Sequence, residues 1–169
     1  MTSIQPCPLP EEALLRKYLE GGSFTDCYAV NVPGTVSQAA YVAAFYSSGV
    51  FKVERRLLGW FASRPATDEQ AHALGAGQID TFSAWSVESR KANQLLLRDF
   101  QGRTRSWLMS SPADVNGAPG TRLYFGSAVV PVIDRRTGEA RMGFAFRVLL
   151  GFHKIYSRVL LRAAVSRLA

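Results

Sequence analysis

Two cysteines among 169 residues, Cys7 and Cys27, are too few for a disulfide framework. One sits in a Pro-flanked tail and the other in a strand-like run, which predicts two reduced thiols in a cytoplasmic protein. No stretch approaches the roughly 18 uninterrupted apolar residues of a spanning helix, so no transmembrane segment is expected. The N-terminal MTSIQPCPLPEE has neither a basic n-region nor an apolar h-region, so no signal peptide is expected. Only two histidines occur, His72 and His153. Lying far from each other, they make no metal-ligand spacing with the cysteines, and no metal site is predicted. Neither GSFTDCYAVNVPG nor GAGQID has the glycine pattern and lysine of a phosphate loop. FGSAV has one glycine before its serine and none after, so the serine-hydrolase elbow is missing too. Repeats and low-complexity segments are also absent. No cofactor is implied, and no catalytic motif stands on its own.

What is present is an ordinary globular composition. Apolar residues make up 47% and charged residues 20%, which excludes a disordered chain and predicts one main domain with a sizeable core. The net charge of +7 suits an anionic partner. The basic residues are scattered, however, and no run resembles a nucleic-acid-binding arm. Arg103, Arg105 and Trp107 have the look of a basic-aromatic surface, but an edge-of-sheet charge pattern explains them as well. A specific nucleic-acid partner is not expected.

Along the chain, PEEALLRKYLEGG predicts a helix over 10–20 packed by Leu14, Leu15 and Leu19, with Gly21 as its stop. This element and the residues before it, 1–23, form an addition ahead of the main domain over 24–169. SFTDCYAVNVPG predicts a strand over 24–32. VSQAAYVAAFYSS and KVERRLLGWF predict two helices, roughly 36–47 and 51–61, bent near Ser48-Gly49. TDEQAHALGAG predicts a short helix capped by Thr67 and stopped at Gly75. From Gln78 the period changes. IDTFSAWSVESR, QLLLRDF and RTRSWLMSS read as three consecutive strands, PADVNGAPG as a loop, and TRLYFGSAVVPVI and EARMGFAFRVLL as two long strands joined by DRRTG. Pro131 marks an edge position or bulge.

The chain ends in GFHKIYSRVLLRAAVSRLA. At 100° per residue, Lys154, Arg158 and Arg162 fall on one stripe. Phe152, Tyr156, Val159, Leu160 and Ala163 lie opposite, with Leu161 and Leu168 on a flank. The wide apolar arc predicts a helix buried against the preceding sheet rather than one lying on a membrane.

This order, with the paired helices in VSQAAYVAAFYSSGVFKVERRLLGWF and the ending LLGFHKIYSRVLLRAA, resembles the helix-grip superfamily, also called START-like, SRPBCC or Bet v-like. The ending is similar to that of uncharacterised bacterial members. The resemblance spans about 24–169 and implies an α+β fold: a curved antiparallel sheet wrapped around a long C-terminal helix, with a short helix pair after the first strand. The superfamily usually has seven strands, whereas six are counted here.

A sheet gripping a helix leaves a concave interior where small ligands bind. Alternation places Thr81, Ser83, Trp85 and Val87 on one strand face, Arg105, Trp107 and Met109 on another, and Met142, Phe144, Phe146 and Val148 on a third, leaving open which faces are inner. The ligand-cavity candidates are Trp85, Trp107, Phe144, Phe146, His153 and Tyr156, set against the commoner role of buried aromatics as core. The expected function is binding of an apolar or amphipathic small molecule. One alternative is a cyclase- or dehydratase-like enzyme using His153 as a cavity acid or base. Another is an interaction module presenting the basic helix face. No oligomeric state is implied.

Overall fold

The computed structural model describes residues 3–49, 67–133, 140–141 and 144–168, with side chains described outside 132–154. Its elements in chain order are β1 (Gln5–Pro6), α1 (Arg16–Glu20), β2 (Phe24–Pro33), α2 (Gln38–Tyr46), α3 (Asp68–Gly75), β3 (Thr81–Phe82), β4 (Trp85–Lys91), β5 (Gln94–Asp99), β6 (Thr104–Val115), β7 (Ala118–Val129), β8 (Val132–Ile133), β9 (Ala140–Arg141) and α4 (Phe144–Leu168). The class is α+β, as expected. A seven-stranded antiparallel sheet runs β1-β2-β7-β6-β5-β4-β3, and β8 and β9 pair separately. The C-terminal helix α4 packs on α2, β2 and β7, and a curved sheet wrapped around that helix fits this arrangement.

Local chemistry accounts for several boundaries. The Ser37 side chain caps α2 by accepting from the Ala40 amide at 3.1 Å. Thr67 and Gln70 form a reciprocal capping box that starts α3. Gly75 is required by packing rather than by conformation, because a Cβ there would lie 2.5 Å from the Ala39 carbonyl oxygen of α2. The second predicted helix of the pair, 51–61, and the DRRTG connection that ends in Gly138 lie outside the described residues.

Four expectations are corrected. The helix over 10–20 is confined to Arg16–Glu20, preceded by turns in which the Ala13 amide reaches the Pro10 carbonyl and the Arg16 amide the Ala13 carbonyl. Leu15 is buried, but Leu19 is exposed, and the left-handed residue after the helix is Gly22 rather than Gly21. The run IDTFSAWSVESR is not one strand. It folds back at Ser83-Ala84, with Ser83 left-handed, so that Phe82 pairs with Trp85.

The expected loop over 112–120 is a hairpin. Asn116 and Gly117 both adopt positive φ, 57° and 79°, and the Asp114 carboxylate accepts from the Gly117 amide. Asn-Gly in this conformation matches the twist of the flanking strands. Pro112 and Pro119 fit because β5 stops pairing with β6 at Met109 and β2 stops pairing with β7 at Gly120, so both lie beyond the outer ladders, although the Pro119 carbonyl still accepts from the Gly34 amide at 3.1 Å.

Of the last predicted strand, 139–150, the described residues keep only Ala140–Arg141 as strand, and from Phe144 the chain is helical. Over a stretch as short as Phe144–Leu150, apolar but for Arg147, the alternation read as a strand does not separate strand from helix. Once the following segment is helical, extension backwards adds a hydrogen bond per residue without a new nucleus. The sheet reaches seven strands through the short β1 and β3, without that segment.

Both sheet faces are covered. On the helix side Tyr28, Val30, Leu97, Leu108, Leu123 and Phe125 pack against Tyr41, Phe45, Leu74, Leu160, Leu161 and Ala164. On the outer side Cys27, Leu96, Trp107, Met109 and Ala128 pack under Leu9, Ala13 and Leu15 of the N-terminal segment. Double coverage explains why Leu95, Leu96 and Leu97 are consecutive and all buried.

Candidate functional site

The buried arc of α4 is rotated from the predicted one. Ser157, Leu160, Leu161 and Ala164 are its inward residues, whereas Val159 and Ile155 are exposed at 43% and 65%. The predicted arc counted Val159 as apolar contact surface and placed Leu161 on a flank. Packing against both α2 and the sheet puts Leu161 at the centre.

Beneath this arc lies a cavity of about 210 Å³. Its apolar walls come from Phe45 of α2, Trp85 of β4, Phe125 of β7 and Leu160 of α4, and Tyr156 lies at its edge on α4. Thr104, Ser106 and Ser127 add hydroxyls from β6 and β7. Strand alternation supplies these groups: Thr104, Ser106 and Leu108 share the helix-side face, and the register sets Ser106 opposite Ser127.

The polar groups around the cavity are mostly tied down. Ser106 Oγ is 2.8 Å from the Tyr46 hydroxyl. The Asp26 carboxylate accepts from both the amide and the hydroxyl of Ser127 through Oδ1, and from the Ser157 hydroxyl at 3.2 Å through Oδ2. Asp26 thus links β2, β7 and α4, and it makes Ser157 a satisfied residue within the buried arc. Nearby, burial first and the Asp26 charge second push the Tyr28 phenol above its ordinary range. Complete burial pushes Tyr41 well above it, and its hydroxyl donates to the Tyr124 carbonyl at 3.0 Å. Both phenols stay protonated near neutrality. The Trp85 indole Nε1 is shielded from solvent and has no hydrogen-bond partner among the described residues. A buried donor left in that state is destabilising, and a ligand acceptor would relieve it.

Of the six sequence candidates, the structure brings Trp85 and Tyr156 together at this cavity. Trp107 lies on the opposite sheet face, fully buried, with its Nε1 donating to Gln94 Oε1 at 2.9 Å. It is core. Phe144, Phe146 and His153 lie on α4 rather than on a strand or at a strand–helix step, and their side chains fall outside the described residues. Phe144, Phe146 and Val148 do not share a strand face, because they are helical and helical residues two apart are about 200° apart, while Met142 lies outside the described residues. Phe45, Thr104, Ser106, Phe125 and Ser127 escaped the sequence reading. The alternation T-R-S-W-L-M held the signal for β6, but only the position of α4 shows which parity is inner.

Arg105 does not form an open basic surface. It is buried against Glu88, with Nε 2.6 Å from Oε2 and 2.7 Å from the Tyr18 hydroxyl. Glu88 is aimed outward by a bulge in β4, where Val87 and Ser89 pair with consecutive residues of β5. Among the described residues no His, Cys, Asp or Glu cluster is arranged to hold a metal ion, and no helix is long and apolar enough to cross a membrane. No family model matches the chain, and no curated protein matches it in sequence.

Proposed function

We propose that the chain is a cytoplasmic, helix-grip-like binding protein for a compact amphipathic small molecule, held between α4 and the sheet. The carrying observation is the apolar cavity lined by Trp85, whose buried Nε1 has no hydrogen-bond partner among the described residues. Its volume of about 210 Å³ somewhat exceeds the roughly 150 Å³ that accommodates benzene in a dry protein cavity. That favours a ligand of one or two rings, or a short acyl chain, carrying an acceptor oxygen for the indole. Among the described lining residues the one charged group, Arg105, is tied to Glu88 and the remaining polar side chains are hydroxyls, which favours a neutral ligand.

The test is a titration of tryptophan emission with small phenols, aromatic ketones and short fatty acids. Saturable one-to-one binding that weakens about tenfold in Trp85→Phe, the loss of one hydrogen bond to a buried donor, supports the reading. Binding unchanged by Trp85→Phe and by Ser106→Val would place the ligand elsewhere.

A second reading, an interaction module, draws on the outward face of α4, where exposed Ile155 and Val159 stand beside exposed Arg158 and Arg162. Binding to anionic vesicles that is lost in Ile155→Ser/Val159→Ser would favour it over the cavity.

A further inference from the structure

The pair of thiols on the outer side of the sheet carries an inference independent of the cavity. Strand β1 pairs with β2 through Gln5 opposite Ala29 and Pro6 opposite Tyr28. The next pair in that register is Cys7 opposite Cys27, and the Cys7 amide donates to the Cys27 carbonyl at 3.0 Å. Directly opposed, hydrogen-bonded residues of antiparallel strands have Cα atoms about 5.5 Å apart, close to the commonest separation across a disulfide. The two Sγ atoms are already 3.3 Å apart. Closing to a bond of about 2.05 Å needs a side-chain adjustment of little more than ~1 Å and no strand shift.

We propose that Cys7 and Cys27 form a redox-active dithiol that takes low-molecular-weight disulfides of the glutathione class as its substrate and closes to an intramolecular bond. The environments of the two thiols divide the labour. Cys7 is partly exposed and Cys27 is buried. The hydrogen bond from Cys27 draws the Cys7 thiol down to about 7 against the opposing effect of burial, and the nearby Arg122 charge acts in the same direction. The same hydrogen bond, with burial, pushes Cys27 up. The thiolate is the attacking form, so Cys7 is the nucleophile and Cys27 the resolving thiol.

The Cys7 thiolate attacks one sulfur of the small disulfide. A mixed disulfide forms on Cys7, and the first small thiolate leaves and takes a proton from solvent. Cys27 then attacks the Cys7 sulfur. Its proton passes to the second small thiolate, which leaves as the thiol. Two protein thiols are oxidised and one small disulfide is reduced to two thiols. The product fastens residue 7 to the sheet and shortens the free tether of the segment that covers Trp107. The expectation of two reduced thiols then describes only one of the two states of the pair.

The experiment equilibrates the full-length chain with oxidised and reduced glutathione at a series of ratios, quenches with a maleimide and counts modified thiols by mass. The expected result is a monomer that loses both free thiols together. At short times an adduct on Cys7 is expected, and the adduct accumulates in Cys27→Ser. In the folded protein at neutral pH, Cys7 should alkylate at least about tenfold faster than Cys27. Three results would overturn the proposal: disulfides forming only between chains, Cys27 alkylating first, or no closed form at ratios that oxidise the unfolded chain. Early-time mapping of the adduct in the unaltered protein keeps the test decisive even if Cys27→Ser fails to fold.

Discussion

On the outer face of the sheet, Trp107 is wholly buried and its indole N–H is held by Gln94. On the helix side, Trp85 is half-buried and its indole N–H has no partner among the described residues. The same side chain is thus a finished piece of core in one place and an open valence in the other. The outer face is closed by an apolar layer under the N-terminal segment, and around Trp107 by polar groups that satisfy one another. Gln94 Oε1 accepts from both Trp107 and the Leu14 amide, while its Nε2 donates to the Glu12 carbonyl at 3.0 Å. The helix side is closed by apolar packing around a small void with hydroxyls at its rim. A fully satisfied network specifies one arrangement and leaves nothing for a ligand to do, whereas an unsatisfied donor in an apolar hollow does the reverse.

The contrast can be broken most severely at Trp107. Trp107→Ala should destabilise the chain by about 3–5 kcal/mol in denaturant titrations, while leaving the affinity of any cavity ligand for the remaining folded fraction unchanged. A loss of ligand affinity in that fraction would show that the two faces are coupled.

Next in size is Gln94→Leu. It strands the Trp107 indole and the Leu14 amide together, and should cost about 2–4 kcal/mol, at ~1–2 for each because Leu14 is only half-buried. Hydrogen exchange should speed up at Leu14 before it does in β6. Uniform acceleration would instead mean that the N-terminal segment and the sheet open as one unit.

Smaller again is the effect of acid on Glu88. Burial alone would raise its carboxyl, but hydrogen bonds from Lys17 and Tyr18 and the Arg105 charge outweigh that and hold it below its ordinary value of about 4.5. A carboxyl lowered on folding stabilises the protein fully above its unfolded value, and that stabilisation is lost as pH falls through the folded value. Stability should therefore drop below about pH 4.5. In Glu88→Gln part of that drop should be absent, at a cost near neutrality of about 1–2 kcal/mol, which comes mainly from the buried Arg105 losing its charged partner, since Lys17 is largely exposed. An unchanged acid profile in the variant would remove Glu88 from the account.

The smallest stability change belongs to Trp85→Phe. Removing a buried donor that lacks a partner should leave stability within about 0.5 kcal/mol, or raise it slightly. A large loss would reveal that the indole is already satisfied and is core like Trp107.

How far these features were legible in the sequence differs from element to element. Thr67 announced its cap because capping is a contest among a few neighbouring atoms. SFTDCYAVNVPG announced β2 for the same reason of locality, through its β-forming residues and its Pro-Gly end. Asn116-Gly117 was equally local and equally readable. The prolines around it pointed to a loop only while the ends of the outer ladders on β6 and β7 were unknown. The cavity was half legible: Trp85 and Tyr156 were found, but Thr104 and Ser106 were hidden behind the other parity of the same strand.

The sequence alone therefore determined the strands and turns whose signals lie within a few residues, an apolar content sufficient for a sizeable core, and a C-terminal helix with one apolar arc. Only the tertiary structure decided which side of each strand looks at that helix, where the helix begins, which indole is left without a partner, and that Cys7 meets Cys27. Alternation gives a strand two faces without naming the inner one, and a short apolar run gives burial without separating strand from helix. Both choices are made by packing between residues far apart in the chain, where the free energy of closing the core outweighs local preference.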